Sequence, residues 1–201
     1  MYILNTLWKS LARPHQDYGS IIWAPVSNTG DMEVQEGPQR SFTKYYSGTK
    51  NMNYWQRLKY AKLLSIQRRN ERFRLFYIWK SIYGGVPSLG FTTVKHERRG
   101  IFIKYPKYKC NIQRLCTLRR NSILENGPEL FNALPQSIRE ISENFDIFKH
   151  TVDCFLTILP DCPILRGYTS HNFDNNGKQT NSIIYWIKNE SLTNWKISRI
   201  N

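Results

Sequence analysis

Residues 63–83 read LLSIQRRNERFRLFYIWKSIY, and Gly84-Gly85 and Pro87 follow. Ile66, Phe73, Phe76, Tyr77 and Tyr83 recur at the spacing of one helix face. Arg68, Arg69, Arg72 and Lys80 fall largely on the rest of the wheel. The paired glycines with a proline beyond them are a C-terminal stop signal. This is the longest helix candidate in the chain, and it points to a mostly α-helical protein.

Upstream, Leu4, Leu7, Trp8 and Leu11 lie at helical spacing, and Pro14 is expected to end or kink that helix. A second apolar run covers residues 18–23. Asp31 is placed to cap a segment over 32–46, with a kink or break expected at Pro38. A short helix is expected over 51–59.

Downstream the period changes. Ile101, Ile103 and Tyr105 are spaced by two, so a hairpin is expected within about 91–118. Asn126-Gly127-Pro128 reads as a turn, 129–133 as a short helix stopped near Pro135, and 137–141 as one further turn. Residues 145–158 form an amphipathic pattern with Phe148, Val152, Phe155, Leu156 and Leu159 on one face. The stretch 167–182 is rich in Asn, Gly, Ser and Thr and reads as a linker, with a weakly helical tail after it. The expected organisation is therefore a helical region over 1–85, an extension with short strands and helices over 86–165, and a linker and tail over 166–201.

The chain has 201 residues, of which 28 are Trp, Tyr or Phe, so it can bury a core in spite of its charge. No run approaches the roughly 20 apolar residues of a membrane span. Lys9 and Arg13 interrupt the first apolar stretch too early for a signal peptide. A nuclear or cytoplasmic protein is expected, with no membrane partner. Cys110, Cys116, Cys154 and Cys162 have spacings that fit no common zinc site and are read as reduced thiols.

The net charge of +14 is unevenly placed. Residues 57–80 carry eight basic side chains and one acid, residues 95–120 nine and one, and residues 121–165 two and seven. Two concentrated basic segments point to a polyanion, most often nucleic acid. An ordinary solvated surface and an anionic membrane face are the other readings.

Chemistry of other kinds is missing. The chain has no P-loop, GxSxG or HExxH pattern. Its six aspartates are scattered, whereas two-metal nucleotidyl transfer needs clustered carboxylates. Asp146 and Asp153 share a helix face with nothing to join them. His15 and Asp17 read as a junction cap or surface pair. No enzyme activity and no cofactor are expected.

The basic segments then supply the candidate contacts. Arg68, Arg69 and Arg72 lie on the long helix, where guanidinium groups suit phosphates. Lys104 and Lys107 alternate with Tyr105 and Tyr108 on a basic strand face. Phe73, Phe76 and Tyr77 are read as core, because an aromatic stripe at helical spacing is usually buried.

Several short motifs, taken together, resemble the region after the polymerase palm in non-LTR (LINE-like, jockey-type) retrotransposon reverse transcriptases. Leu7-Trp8-Lys9-Ser10-Leu11-Ala12-Arg13-Pro14-His15, then Asp17-Tyr18-Gly19 and Ile22-Trp23-Ala24-Pro25, resemble that family's Lys-Ser-Leu-Val-Arg-Pro-His-Leu-Asp-Tyr run and its Trp-x-Pro ending. Gln39-Arg40-Ser41-Phe42-Thr43, Tyr54-Trp55-Gln56-Arg57-Leu58, and Leu64-Ser65-Ile66-Gln67-Arg68-Arg69 resemble three further elements in the same order. Phe131-Asn132-Ala133-Leu134-Pro135 and the helix opening Phe145-x-x-Phe148-Lys149 resemble the last two.

The resemblance covers residues 7–161. It implies a helical thumb-like region with a C-terminal extension, which would hold RNA or an RNA–DNA hybrid. A polymerase palm acting in trans is a further partner it implies. The palm's Tyr/Phe-x-Asp-Asp motif, an endonuclease domain and a CCHC zinc knuckle are absent from the sequence, so it implies a truncated piece of such an element. A protein-interaction scaffold with an acidic partner and a relic without function are the alternatives.

Overall fold

The computed structural model describes residues 2–26, 28–105, 111, 112, 115, 118, 119, 121–163 and 180–189. The protein is mostly helical with a two-stranded antiparallel hairpin. It divides into two compact units, one of residues 1–70 with 161–181, the other of residues 71–160 with 182–201. The division falls inside the long helix, whereas composition placed boundaries at Gly84-Gly85 and near residue 165. Contacts far apart in sequence, which composition does not record, set it there.

The first unit opens with α1 (Tyr2–Leu7), a π-helical turn (Trp8–Ala12) and α2 (Arg13–Asp17). Pro14 therefore does not end the helical path. It stands at the start of α2, where a missing N–H costs least, after a π turn that closes with Arg13 N–H on the Trp8 carbonyl. A short α3 (Ser20–Trp23) follows.

Next comes α4 (Thr29–Phe42). Its cap is Asn28, whose side chain accepts from the N–H of Gly30 at 3.0 Å and of Asp31 at 3.4 Å, so Asp31 lies in the first turn of the helix and is not its cap. The helix runs through Pro38 unbroken. The carbonyl that loses its partner there belongs to the exposed Val34, where water can take its place.

Helix α5 (Tyr54–Ala61) starts at a capping box between Asn53 and Gln56 and ends at Lys62, which is left-handed with φ 52°. The apolar core of this unit joins Trp8, Tyr46, Tyr54, Leu58, Ala61 and Leu63. Trp8 stacks on Phe42 with ring centroids 4.5 Å apart.

Helix α6 (Ile66–Tyr83) spans the division, its first five residues counting with the first unit. The second unit continues with β1 (Thr92–His96) and β2 (Gly100–Lys104), then α7 (Ile123–Ala133), α8 (Gln136–Arg139), α9 (Phe145–Ile158) and α10 (Ile183–Asn189). The sequence pattern matched α9 and its buried face; Phe148, Val152, Phe155, Leu156 and Leu159 are all buried.

Asn126-Gly127-Pro128 is not a turn but the middle of α7. Packing overrides local propensity there. A Cβ on Gly127 would come within 2.6 Å of Ile78 Cδ1, so the glycine lets α7 close on α6 within this unit. The core gathers Leu75, Ile78 and Trp79 with Phe131, Phe148 and Ile138. The expected tail is helical over Ile183–Asn189; of the stretch 167–182 expected as a linker, residues 167–179 lie outside the described residues and Thr180, Asn181 and Ser182 are buried.

No helix among the described residues is long and apolar enough to cross a membrane. Among them, too, no group of three or more His, Cys, Asp or Glu could hold a metal ion. Cys154 and Cys162 are free thiols, while Cys110 and Cys116 lie outside the described residues.

Candidate nucleic-acid interface

The arginines expected to face a polyanion do not form a surface. Arg68 is 0% and Arg69 1% exposed. The hydrophobic stripe was taken to be the buried side of α6, but the start of this helix is buried all round, with Ser65, Gln67, Asn70, Glu71 and Arg74 also inside. Such charges persist in a core only when paired.

The pairing is specific. Arg69 donates to Gln39 Oε1 at 3.1 Å and meets Asp17 Oδ1 at 3.0 Å. Burial pushes its guanidinium down to about 10, with Asp17 opposing that fall. Arg68 donates to the Asn181 carbonyl at 2.7 Å and lies 3.6 Å from Asp161. Asp17 is thus held within the fold, between Arg13 and Arg69.

Two carboxylates also meet the N-terminus of α6. Asp161 accepts from Ser65 N–H and Ser65 Oγ, both at 2.6 Å. Glu36 accepts from Ile66 N–H with both oxygens, at 3.2 and 3.0 Å, and from the Tyr54 hydroxyl. These acids satisfy amides that a helix start leaves open and sit at its positive end. Burial pushes the Glu36 carboxyl up to about 8 against the Tyr54 hydrogen bond, and Asp161 adds to the rise. Burial also raises the Asp161 carboxyl, against the pull of Arg68.

Arg72 is half-buried in the second unit. Its Nε and Nη2 hold both oxygens of Asp153 at 2.5 and 2.7 Å, and its guanidinium lies 4.3 Å from the centroid of Phe76. That fork is the geometry a phosphate would need, and Asp153 occupies it. Asp153 itself keeps 37% of its side chain exposed, so the pair lies at the surface of this unit. Of the expected core aromatics, Phe76 is buried, whereas Phe73 and Tyr77 are partly exposed.

The hairpin behaves differently. Lys104 is exposed at the end of β2, opposite Thr92. Exposed Lys95, Arg98 and Arg99 join it, against Glu97 as the one acid between Thr92 and Lys104. Among the described residues none of these four cations takes part in an ion pair. Lys95, Arg98 and Arg99 belong to the basic segment visible in the sequence, but nothing there separates exposed cations from paired ones. Lys107 lies outside the described residues.

Side chains from α7 and α8 fix the hairpin. Asn132 accepts from Ile103 N–H at 2.8 Å and donates to the Ile103 carbonyl at 3.0 Å. Arg139 donates to the Leu134 and Arg99 carbonyls, both at 2.8 Å, and to the Ile101 carbonyl. Its guanidinium lies 4.0 Å from the Phe102 centroid, and burial pushes its pKa down. The Phe131-Asn132-Ala133-Leu134-Pro135 motif thereby has a physical role, since Phe131 and Leu134 are core and Asn132 closes one edge of the hairpin. The turn needs Gly100, at φ 71°, where a Cβ would meet Glu140 Oε1 at 2.6 Å.

Compared with known protein families, curated proteins and solved structures, the chain matches none.

Proposed function

We propose that this chain binds RNA or an RNA–DNA hybrid through the basic β1–β2 hairpin, as the region after the palm of a non-LTR retrotransposon reverse transcriptase would. The observation that carries the reading is the group Lys95, Arg98, Arg99 and Lys104, exposed and, among the described residues, in no ion pair, on a strand pair anchored by Asn132 and Arg139. Cations already neutralised by acids release few counterions on binding, so the hairpin, and not α6, supplies the affinity. The motifs in order from residue 7 to 161 support the family reading. A nuclear or cytoplasmic setting goes with such a ligand.

The test is fluorescence anisotropy of labelled single-stranded RNA and of an RNA–DNA hybrid with the purified chain, over a range of salt. Binding is expected to weaken steeply with salt, by roughly 0.7 to 0.9 in log–log slope for each phosphate neutralised. No binding by a folded chain contradicts the reading. The reading includes no catalytic step, and nucleotide incorporation by the isolated chain would overturn that part.

A protein-contact reading has its own support. Ile3, Leu7 and Leu11 recur at four-residue spacing and are exposed, and Tyr18 and Ile22 are 85% and 86% exposed. Large exposed apolar side chains gathered in one stretch of chain can serve a protein contact. A polymerase palm in trans is the partner the resemblance implies, and retention of such a palm by the chain, lost in Leu7→Asp, is the corresponding test.

A further inference from the structure

The hairpin has two unlike edges. On β2 three outward main-chain groups are taken: Ile103 N–H and C=O by Asn132, and the Ile101 carbonyl by Arg139. In an antiparallel pair, residues whose main-chain groups point outward sit opposite each other. Ile103 faces Thr93 and Ile101 faces Lys95, so the N–H and C=O of Thr93 and Lys95 point away from β2. Among the described residues nothing pairs with them, and both residues are exposed. The edge therefore offers a donor and an acceptor at Thr93 and again at Lys95, about 6.8 Å further along.

We propose that a single RNA strand docks along this outer edge of β1, its phosphates accepting from the N–H groups of Thr93 and Lys95 and its ribose 2′-hydroxyls donating to their carbonyls. The inference rests on the RNA-binding reading above and names the form of the ligand. Charge favours a polyanion, since residues 92–104 carry Lys95, Arg98, Arg99 and Lys104 against Glu97, with Glu140 the further acid beside Gly100. An added peptide strand is disfavoured, because a short edge strand bearing an exposed lysine discourages pairing with another chain. The acceptors on the edge favour RNA over DNA, which lacks the 2′-hydroxyl. A single strand can adjust its phosphate and ribose spacing to the edge, whereas a duplex presents both at a fixed geometry, so a single strand fits best.

The experiment is amide hydrogen exchange of the full chain with and without single-stranded RNA, joined to anisotropy with Thr93→Pro and Thr93→Val. Thr93 and Lys95 amides are expected to be unprotected in the free protein and protected with RNA, while Val94, bonded to β2, stays protected in both. Proline at an outward edge position spares the ladder and removes one donor. Thr93→Pro is expected to weaken single-stranded RNA roughly tenfold without changing the salt slope, and Thr93→Val to bind as the wild type does. RNA binding with Thr93 and Lys95 amides still unprotected overturns the edge site while leaving the RNA-binding reading intact. So does duplex RNA binding as tightly as the single strand, and equal affinity for DNA of the same sequence overturns the ribose contact. Polyglutamate in place of RNA protecting these amides makes the occupant a peptide. No RNA binding at all removes the RNA-binding reading itself.

Discussion

The Asn132 side chain pairs with Ile103 as a neighbouring strand would, taking its N–H at 2.8 Å and giving a proton to its carbonyl at 3.0 Å. One amide thus closes the β2 edge, and the open edge of the hairpin is left on β1. Asn132→Ala is expected to leave both Ile103 groups without that partner. A loss of about 1–3 kcal/mol is expected, seen as a lower urea midpoint at unchanged slope. Retention of full stability would mean that water replaces the amide at no cost.

Arg69 and the hairpin cations separate folding from binding. Arg69→Ala leaves the buried Gln39 Oε1 without its donor and Asp17 with Arg13 alone, and is expected to cost about 1–3 kcal/mol. Under conditions where the variant remains folded, its salt dependence of RNA binding should equal that of the wild type. A flatter slope in folded Arg69→Ala would return α6 to the binding surface.

Glu36 gives stability a pH dependence of definite sign. Its carboxyl rises from 4.5 to about 8 on folding, chiefly by burial. The neutral form is therefore favoured in the folded state. Its contribution is fully present below the ordinary carboxylate range and is lost as pH climbs toward 8, at about 1.4 kcal/mol per pH unit in between. Asp161 shifts in the same direction and adds to the loss. Denaturant midpoints from pH 6 to 9 should fall, and Glu36→Gln, neutral throughout, should flatten that fall. An unchanged pH profile in Glu36→Gln would place the titration elsewhere.

Gly127 and Ile78 should be coupled. A methyl group at 127 needs space that Ile78 Cδ1 and Cγ1 fill, at 2.6 and 2.8 Å. Gly127→Ala gains about 1 kcal/mol of helix propensity and loses about 1–3 kcal/mol to overpacking, for a net destabilisation. Ile78→Val removes Cδ1 and should recover part of that loss in the double variant. Strict additivity in the cycle would deny the contact.

The α9 helix was legible in the sequence because its five apolar positions share one face and proline follows. The end of α6 was legible because Gly84 and Gly85 take φ 101° and 112°, values that side chains resist. The hairpin was legible from alternation. What was hidden depended on partners far along the chain. Arg69 needs Asp17, Arg68 needs Asp161, and Arg72 needs Asp153, and no local pattern couples them. A wheel that sorts polar from apolar treats every arginine as solvated, so three paired cations looked like a binding face. Pro38 and Gly127-Pro128 misled in the other direction: at Pro38 the freed carbonyl belongs to the exposed Val34, and at Gly127 the packing against Ile78 carries α7 through.

On the proposed function, the hairpin cations, and not the α6 arginines, carry the affinity for RNA. The direct test is the salt slope of single-stranded RNA binding for the wild type and for the variant with Lys95, Arg98, Arg99 and Lys104 all changed to Ala. Four lost phosphate contacts should reduce the slope by roughly 3 and leave thermal unfolding nearly unchanged. An unaltered slope in the folded variant would contradict the account and place the polyanion on another surface.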